Sequence, residues 1–211
     1  MLQNLRHYYL HQMGIDVWTT RKARVHQKNL DELALKVSAC VRCPLHQTRT
    51  QTVFSRGNPN ASLMIIGEAP GAHEDKQGLP FVGDAGGLLN KMLQSIGMAC
   101  EDVYITNVIK CRPPENRPPN QEEITACANH LSEQIAILTP KVILAVGHCA
   151  GQFLLGSTAP LNQMRKKVHD FNGISVIVSY HPAYLLRHPA DKKYAYEDLL
   201  LVQQRLKGRG I

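Results

Sequence analysis

Four short runs of apolar and β-branched residues interrupt the more polar pattern of the chain. Each run is only four or five residues long, which is short for a helix and typical of a strand that is buried on both faces of a sheet. A conspicuous loop follows each of them. The predicted strands cover residues 63–66, 103–106, 142–146 and 175–178.

Longer segments between these runs carry apolar residues at the spacing of an amphipathic helix. Asp84 is a candidate cap for the first segment, which ends at Gly97, a plausible helix-ending glycine. Asn120 and Glu123 resemble the capping box that begins a second helix. A third helix is predicted over residues 191–207.

Strands that alternate with helices predict a parallel sheet, because two parallel strands need a crossover connection that is usually helical. The expected fold is α/β, a three-layer α/β/α arrangement with a central, mainly parallel four-stranded sheet. In such folds the functional site lies beyond the carboxyl ends of the strands. We therefore expect the loops that follow the strands to converge, namely residues 67–71, 107–111, 147–149 and 180–182.

The size and composition of the chain fit one main domain with a small appendage. It has 211 residues, of which 44% are hydrophobic and 19% charged, so it can bury a sizeable core. Residues 1–28 differ from the rest, because they hold the only tryptophan, Trp18, ahead of a basic run. We expect an appendage over residues 1–28 and a main domain over residues 29–211.

The formal net charge of +7 favours a polyanionic partner such as nucleic acid, although a generically basic protein would carry the same charge. No window approaches about 18 uninterrupted apolar residues, and the first residues lack the pattern of a signal peptide. We therefore expect a cytoplasmic protein that does not contact membranes. In that reducing compartment its six cysteines are expected to be metal ligands or buried thiols rather than disulfides.

Four of the cysteines have a spacing that suits a metal site. Cys40 and Cys43 form a C-x-x-C pair, whereas Cys111 and Cys127 come much later in the chain. A zinc ribbon normally presents a second close pair, which this chain lacks. An iron–sulfur cluster accepts cysteines that the fold brings together, but the spacing alone leaves iron–sulfur and zinc both open.

Three motifs are similar, in the same order, to those of the family 4 uracil-DNA glycosylases, the thermostable iron–sulfur type of bacteria and archaea. The first begins Gly67-Glu-Ala-Pro-Gly71 and runs to Leu89. The second is Tyr104-Ile-Thr-Asn-Val-Ile-Lys-Cys-Arg-Pro-Pro114, with Asn116-Arg117 and Cys127, and the last is Tyr180-His-Pro-Ala-Tyr-Leu-Leu-Arg187. The resemblance covers roughly residues 39–206. A sister iron–sulfur family carries leucine where this chain has Glu68, which favours family 4.

This resemblance implies an enzyme of base excision repair that hydrolyses the N-glycosidic bond of uracil in DNA. Such an enzyme flips the nucleotide into a pocket and stabilises the uracil anion that leaves. The resemblance assigns the ligands of a [4Fe–4S] cluster to Cys40, Cys43, Cys111 and Cys127. Cys100 and Cys149 match no ligand and are expected to be structural.

The resemblance also implies the residues of the uracil pocket. They are Gly67, Glu68, Ala69, Phe81, Asn107 and His181. Phe81 would stack on the base, and the amide of Asn107 would accept from uracil N3–H and donate to O4. His181 would donate to O2 as negative charge develops there.

Glu68 would place the attacking water or the sugar, so the predicted catalytic residues are His181, Glu68 and Asn107. The family lacks the aspartate that other uracil-DNA glycosylases use to direct water, which leaves the general base open. Glu74 and Asn116 are expected to support the pocket, with Glu74 organising its loop.

The predicted DNA contacts lie around the pocket. Leu185 would fill the gap that the flipped base leaves, as apolar wedges do in other complexes. Arg187, Lys166 and Lys167 would contact phosphates, which positions DNA without reading its sequence.

Two other hypotheses compete with that of an active glycosylase. One is a non-catalytic, replisome-associated DNA-binding module on the same fold, which the presence of Phe81, Asn107 and His181 disfavours. The other is a phosphate-binding enzyme, which is disfavoured because no G-x-x-x-x-G-K-[ST] pattern occurs.

The appendage has a resemblance of its own. Residues 5–18 resemble the N-terminal peptide of the psi subunit of the bacterial DNA polymerase III clamp loader. This implies that the clamp loader is a partner, although packing of the same residues on the main domain would explain their apolar character equally well.

Overall fold

The structure is a computed structural model, and it describes residues 12–13 and 21–208 of the chain. Within residues 21–208 the helices are α1 (Arg21–Ser38), α2 (Ala72–Gln77), α3 (Asp84–Gln94), α4 (Gln121–Leu138), α5 (His148–Leu155), α6 (Leu161–Met164), α7 (Pro182–Arg187) and α8 (Lys192–Leu206). The strands are β1 (Arg56–Gly57), β2 (Leu63–Gly67), β3 (Tyr104–Asn107), β4 (Val142–Val146), β5 (Val168–Phe171) and β6 (Ile174–Ser179).

The strands form one sheet in the order β1-β3-β2-β4-β6-β5. The four strands expected from the apolar runs, β2, β3, β4 and β6, are parallel and lie at its centre. The expected count of four was wrong, because the antiparallel strands β1 and β5 extend the sheet at its two edges. The apolar pattern missed these edges because β1 is only two residues long and no residue of β5 is fully buried.

The predicted three-layer arrangement is confirmed. Alternate side chains of the central strands point to opposite faces of the sheet, as the pleat requires. Met64 and Ile66 pack on one side in a core cluster with residues of α1, α4 and α5. Leu63 and Ile65 pack on the other side with residues of α3 and α8. The sheet is therefore covered on both faces, as expected for parallel strands.

The ends of the helices agree in part with the sequence pattern. The side chain of Asn120 accepts from the backbone N–H of Glu123, and the Glu123 carboxylate accepts from the backbone N–H of Asn120. This is the expected capping box. The expectation for Asp84 was wrong, because Gly83 is the N-cap and Asp84 lies in the first turn without a side-chain cap bond.

The expected appendage lies largely outside the described residues. The described part of it includes the start of α1, which runs without interruption from Arg21 to Ser38 across the expected boundary at residue 28 and packs against α4. Of the segment 5–18, only Gln12 and Met13 are described, so its docking on a partner stays a prediction. None of the helices in the described part of the chain has the length and apolar character needed to cross a bilayer.

Candidate active site

A cleft of about 500 Å³ lies at the carboxyl ends of the parallel strands. The chain passes from β2 to β3 on one side and then crosses to β4 on the other, so the cleft is at the topological switch point of the sheet. Among the residues that line it are Glu68, Ala69, Phe81, Asn107 and His181. Three of the four loops that were expected to converge therefore supply its walls.

Asn107 is the last residue of β3 and lies opposite Gly67 in the parallel register of the sheet. Its side chain lines the cleft but is almost completely buried, and Oδ1 has no hydrogen-bond partner. A buried acceptor that stays unpaired costs about 1–3 kcal/mol. This oxygen therefore marks the position where a ligand N–H would be bound most favourably.

Gly67 allows Phe81 and Asn107 to pack closely against the end of β2. A Cβ at position 67 would lie 2.7 Å from Cζ of Phe81 and would also overlap Oδ1 of Asn107. A side chain at position 67 would therefore displace both residues from their positions in the wall of the cleft.

The loop that carries Phe81 is fixed by Glu74, as expected. The Glu74 carboxylate accepts from the backbone N–H groups of Gly71, Val82 and Gly83 at 3.0–3.2 Å. Phe81 itself has a φ of 55°, an uncommon conformation for a bulky residue that the surrounding structure must hold in place. Asn116, the other expected supporting residue, lines the cleft and accepts from Nε of Arg112.

His181 caps the short helix α7, and the hydrogen bond of that cap determines its tautomer. The backbone N–H of Ala183 donates to Nδ1 of His181 at 3.1 Å. Nδ1 must therefore be unprotonated, which places the proton of the neutral ring on Nε2. Burial lowers the pKa of His181 to about 4, and the positive charge of Arg187 acts in the same direction. The ring is thus a neutral donor at physiological pH, which the sequence could not establish.

Glu68 follows β2 and lines the cleft as a half-buried carboxylate. Burial raises its pKa, whereas the nearby His148 lowers it. A carboxylate at this place can accept a hydrogen bond from a water molecule or a sugar hydroxyl.

The residues expected to contact DNA are not all at the cleft. Arg187 lines it, whereas Lys166 lies 3.5 Å from Glu197 of α8 and is not among its lining residues. Lys167 does not line it either. The expectation that Leu185 projects as a wedge is contradicted, because its side chain has no exposed surface and packs in the core cluster with α3 and α8. Its neighbour Leu186 is 43% exposed instead.

Two cleft residues with polar side chains lie in the motifs, but the sequence analysis assigned them no role. Arg117 lines the cleft and makes a paired hydrogen bond, at 2.9 and 2.6 Å, with the carboxylate of Glu123. Tyr184 lines it beside His181, and its hydroxyl donates to Asp191 at 2.7 Å. Their position within the motifs was the only signal in the sequence, and it does not show which side chains of a motif face the cleft.

A second, smaller cavity brings the four expected metal ligands together. Cys40, Cys43, Cys111 and Cys127 all line it, and Cys100 and Cys149 do not. Arg42, Arg49 and Lys110 are also in its wall, and Arg49 donates to Sγ of Cys111 at 3.0 Å. Four thiols surrounded by cations suit a group that carries net negative charge when thiolates bind it.

The comparison with protein families bears directly on this arrangement. The family described as the uracil DNA glycosylase superfamily matches residues 54–202, which include the whole cleft from Glu68 to Arg187. The chain belongs to this superfamily. The matched residues include all six strands of the sheet and the last two cysteines of the small cavity.

Individual relatives refine this classification. The chain is 42% identical over 170 residues to a type-4 uracil-DNA glycosylase of Archaeoglobus fulgidus, covering 77% of this chain and 85% of that protein. It is also 42% identical to the type-4 enzyme of Thermotoga maritima, over 83% of this chain and 93% of the relative. A type-5 uracil-DNA glycosylase of Pyrobaculum aerophilum is 31% identical over 77% of this chain and 87% of its own length. The higher identity to the type-4 proteins agrees with the motifs.

Proposed function

We propose that the protein hydrolyses the N-glycosidic bond of uracil in DNA. The observation that carries this proposal is the unpaired, buried Oδ1 of Asn107 in a cleft that is walled by Phe81 and His181. Uracil N3–H would donate to this oxygen, and Nδ2 of the same amide would donate to uracil O4. Cytosine presents the opposite pattern and would leave buried groups unpaired, which provides discrimination between the two bases.

The neutral His181 supports the same reaction. Its Nε2–H can donate to uracil O2, where negative charge accumulates as the glycosidic bond breaks. A neutral ring that is already oriented by Ala183 needs no reorganisation when the charge develops. Glu68 would hold the water or the sugar, and the positive character of the sugar would reduce the need for a strong base.

DNA would approach the mouth of the cleft, where Arg117 and Arg187 supply positive charge. Such contacts position the phosphate backbone without reading sequence. We assign the role of wedge to Leu186 of α7 in place of Leu185, because only an exposed apolar side chain can enter the base stack.

The small cavity would hold a [4Fe–4S] cluster bound by Cys40, Cys43, Cys111 and Cys127. In the described part of the chain no three His, Cys, Asp or Glu side chains converge closely enough to bind a single metal ion. The four cysteines would supply the thiolate ligands of the cluster, and the resemblance of the motifs to the iron–sulfur family favours it over zinc. The cluster would serve as a structural link between segments that are far apart in the sequence.

Release of free uracil is the decisive measurement. Wild-type protein should release uracil from a uracil-containing oligonucleotide and leave an abasic site, with no added metal, and a cytosine-containing oligonucleotide should give no free base. Asn107→Ala should lose about 3 kcal/mol of transition-state stabilisation in single-turnover rate, which is the scale of removing one preorganised hydrogen-bonding group. Asn60→Ala is the matched control, because Asn60 is exposed in a turn.

A chain that binds uracil-containing DNA but releases no uracil would overturn the proposed function. It would instead favour the non-catalytic DNA-binding module. Wild-type rates in Asn107→Ala would overturn the assignment of the pocket while leaving the activity itself in place.

A further inference from the structure

Lys110 is a charged residue in the protein interior that the proposed reaction does not use. It lies in the loop between Asn107 and Cys111, and only 1% of its surface is exposed. Removing an ammonium group from water is costly unless its donors are paired. A lysine at this position therefore needs specific partners.

Two partners of Lys110 lie at the end of β3. Its Nζ donates to Oγ1 of Thr106 at 2.6 Å and to the backbone carbonyl oxygen of Asn107 at 2.7 Å. Thr106 in turn donates through Oγ1 to the carbonyl oxygen of Phe54 at 2.7 Å. The ammonium therefore holds the backbone of the residue whose side chain faces the cleft.

The same lysine also forms part of the wall of the four-cysteine cavity. Cys111, the next residue in the chain, and Cys127 of α4 line the same cavity. Thiolates at these positions would supply the negative charge that a buried ammonium requires. Lys110 thus contacts the end of β3 and faces the cavity from a single buried position.

The Asn107 side chain gains little support from other groups. Its Oδ1 has no protein partner, so its position in the cleft follows from the backbone to which it is attached. That backbone is fixed on one side by the sheet, where Val108 N–H donates to the Gly67 carbonyl oxygen at 2.9 Å. The bond from Lys110 fixes the Asn107 carbonyl.

We propose that Lys110 is a positioning residue for uracil recognition, which ties Asn107 to the four-cysteine cavity so that the cavity and the cleft keep one relative geometry. The proposal rests on the proposed function, because it concerns the same cleft. Lys110 contacts neither the base nor the reacting bond, and it acts only through Asn107.

A double-mutant cycle separates this role from a general loss of stability. Lys110→Met keeps the length of the side chain and removes its donors, and Lys91→Met, on the exposed face of α3, is the control. We expect Lys110→Met to weaken the binding of free uracil, measured by calorimetry, by about tenfold or more. The single-turnover rate should fall by a similar factor. In an Asn107→Ala background the same substitution should change the rate by less than about twofold, because the residue through which it acts is already gone.

Equal losses in both backgrounds would overturn the proposal, since they would show that Lys110 acts independently of Asn107. Unchanged uracil binding and rate in Lys110→Met would overturn it as well. If Lys110→Met does not fold, Thr106→Val provides the same cycle, because it removes one acceptor of Nζ and leaves the lysine and the cysteines in place. A wild-type protein that releases no uracil would refute the proposed function. The role of Lys110 is tested separately, by comparing the effect of Lys110→Met on the rate in the wild-type and Asn107→Ala backgrounds.

Discussion

Gly67 shows at the scale of one residue how close packing sets the positions of the cleft side chains. Because it has no side chain, the Phe81 ring and the amide of Asn107 can lie where a Cβ would otherwise be. We expect Gly67→Ala to abolish uracil binding and excision while the protein stays folded, because the added methyl group would displace the Phe81 ring and the Asn107 amide from their positions in the cleft. Excision rates, binding of free uracil and circular dichroism would measure this.

Gly87 is the matched control for that substitution. A Cβ at position 87 would meet no other heavy atom within 4 Å, and the residue lies in the interior of α3. Gly87→Ala should therefore keep full activity and gain about 0.5–1 kcal/mol of stability from its higher helix propensity. Equal activity in Gly67→Ala and Gly87→Ala would show that uracil binding does not require the present positions of Phe81 and Asn107 beside Gly67.

His181 links the chemistry of the cleft to the pH dependence of stability. Burial lowers its pKa from 6.5 to about 4 in the folded protein. Between these two values the unfolded chain binds a proton that the folded protein does not bind, so the free energy of unfolding falls as the pH falls from 6.5 to 4. We expect His181→Gln, which cannot take up this proton, to show a shallower decrease of stability across that window in urea unfolding.

The same variant tests the role of the ring in catalysis. Glutamine keeps a donor but cannot present it with the geometry of the imidazole, so the single-turnover rate should fall even where stability improves. If the rate and the pH profile of stability of His181→Gln both match the wild type, His181 has no role in stabilising the departing base.

At the scale of an element, α7 turns two adjacent leucines to different environments. Leu185 is fully buried and Leu186 is 43% exposed. We expect Leu185→Ala to lower the free energy of unfolding by about 2–5 kcal/mol because it leaves a cavity in the core. Leu186→Ala should change stability by no more than about 0.5 kcal/mol.

We expect Leu186→Ala, in contrast, to affect activity on DNA more than it affects stability. Leu186→Ala should lower the rate on uracil in duplex DNA more than on single-stranded DNA, since only the duplex leaves a gap that needs filling. Single-turnover assays on both substrates would measure the difference. A Leu186→Ala variant with wild-type rates on duplex DNA would eliminate this side chain as the wedge.

At the scale of the whole molecule, the four-cysteine cavity joins three segments. Cys40 and Cys43 follow α1, Cys111 follows β3 and Cys127 lies in α4. If the cavity holds the proposed cluster, loss of one cysteine should release it and loosen the contact between α1 and α4. We expect Cys127→Ser to lose iron, sulfide, visible colour and thermal stability together.

Cys100→Ser is the control for this change. Cys100 lies outside the cavity and donates to Oδ1 of Asn90 at 2.5 Å, a bond that serine can also make. It should keep its iron and its stability. A colourless, fully active wild-type protein that contains stoichiometric zinc would refute the cluster.

The central architecture could be predicted from the sequence because its signals are local. The apolar runs of β2, β3, β4 and β6 are buried on both faces of the sheet, so no solvent-facing residue interrupts them. The capping box of Asn120 and Glu123 is also readable, because a cap involves residues three positions apart. The resemblance of the motifs to the family 4 glycosylases implied that Phe81, Asn107 and His181 share one pocket, and all three line the cleft.

Only the tertiary structure decided which neighbouring side chains face the cleft, the core or the cavity. Successive residues of a helix point about 100° apart, and the sequence of α7 contains no feature that distinguishes Leu185 from Leu186. The tautomer of His181 and the partners of Lys110 depend on backbone groups whose positions are set by packing. The sequence thus determined the central strands, the capping box of Asn120 and the chemical groups available to the site, whereas long-range packing determined which side chains line the cleft and which of their atoms remain unpaired.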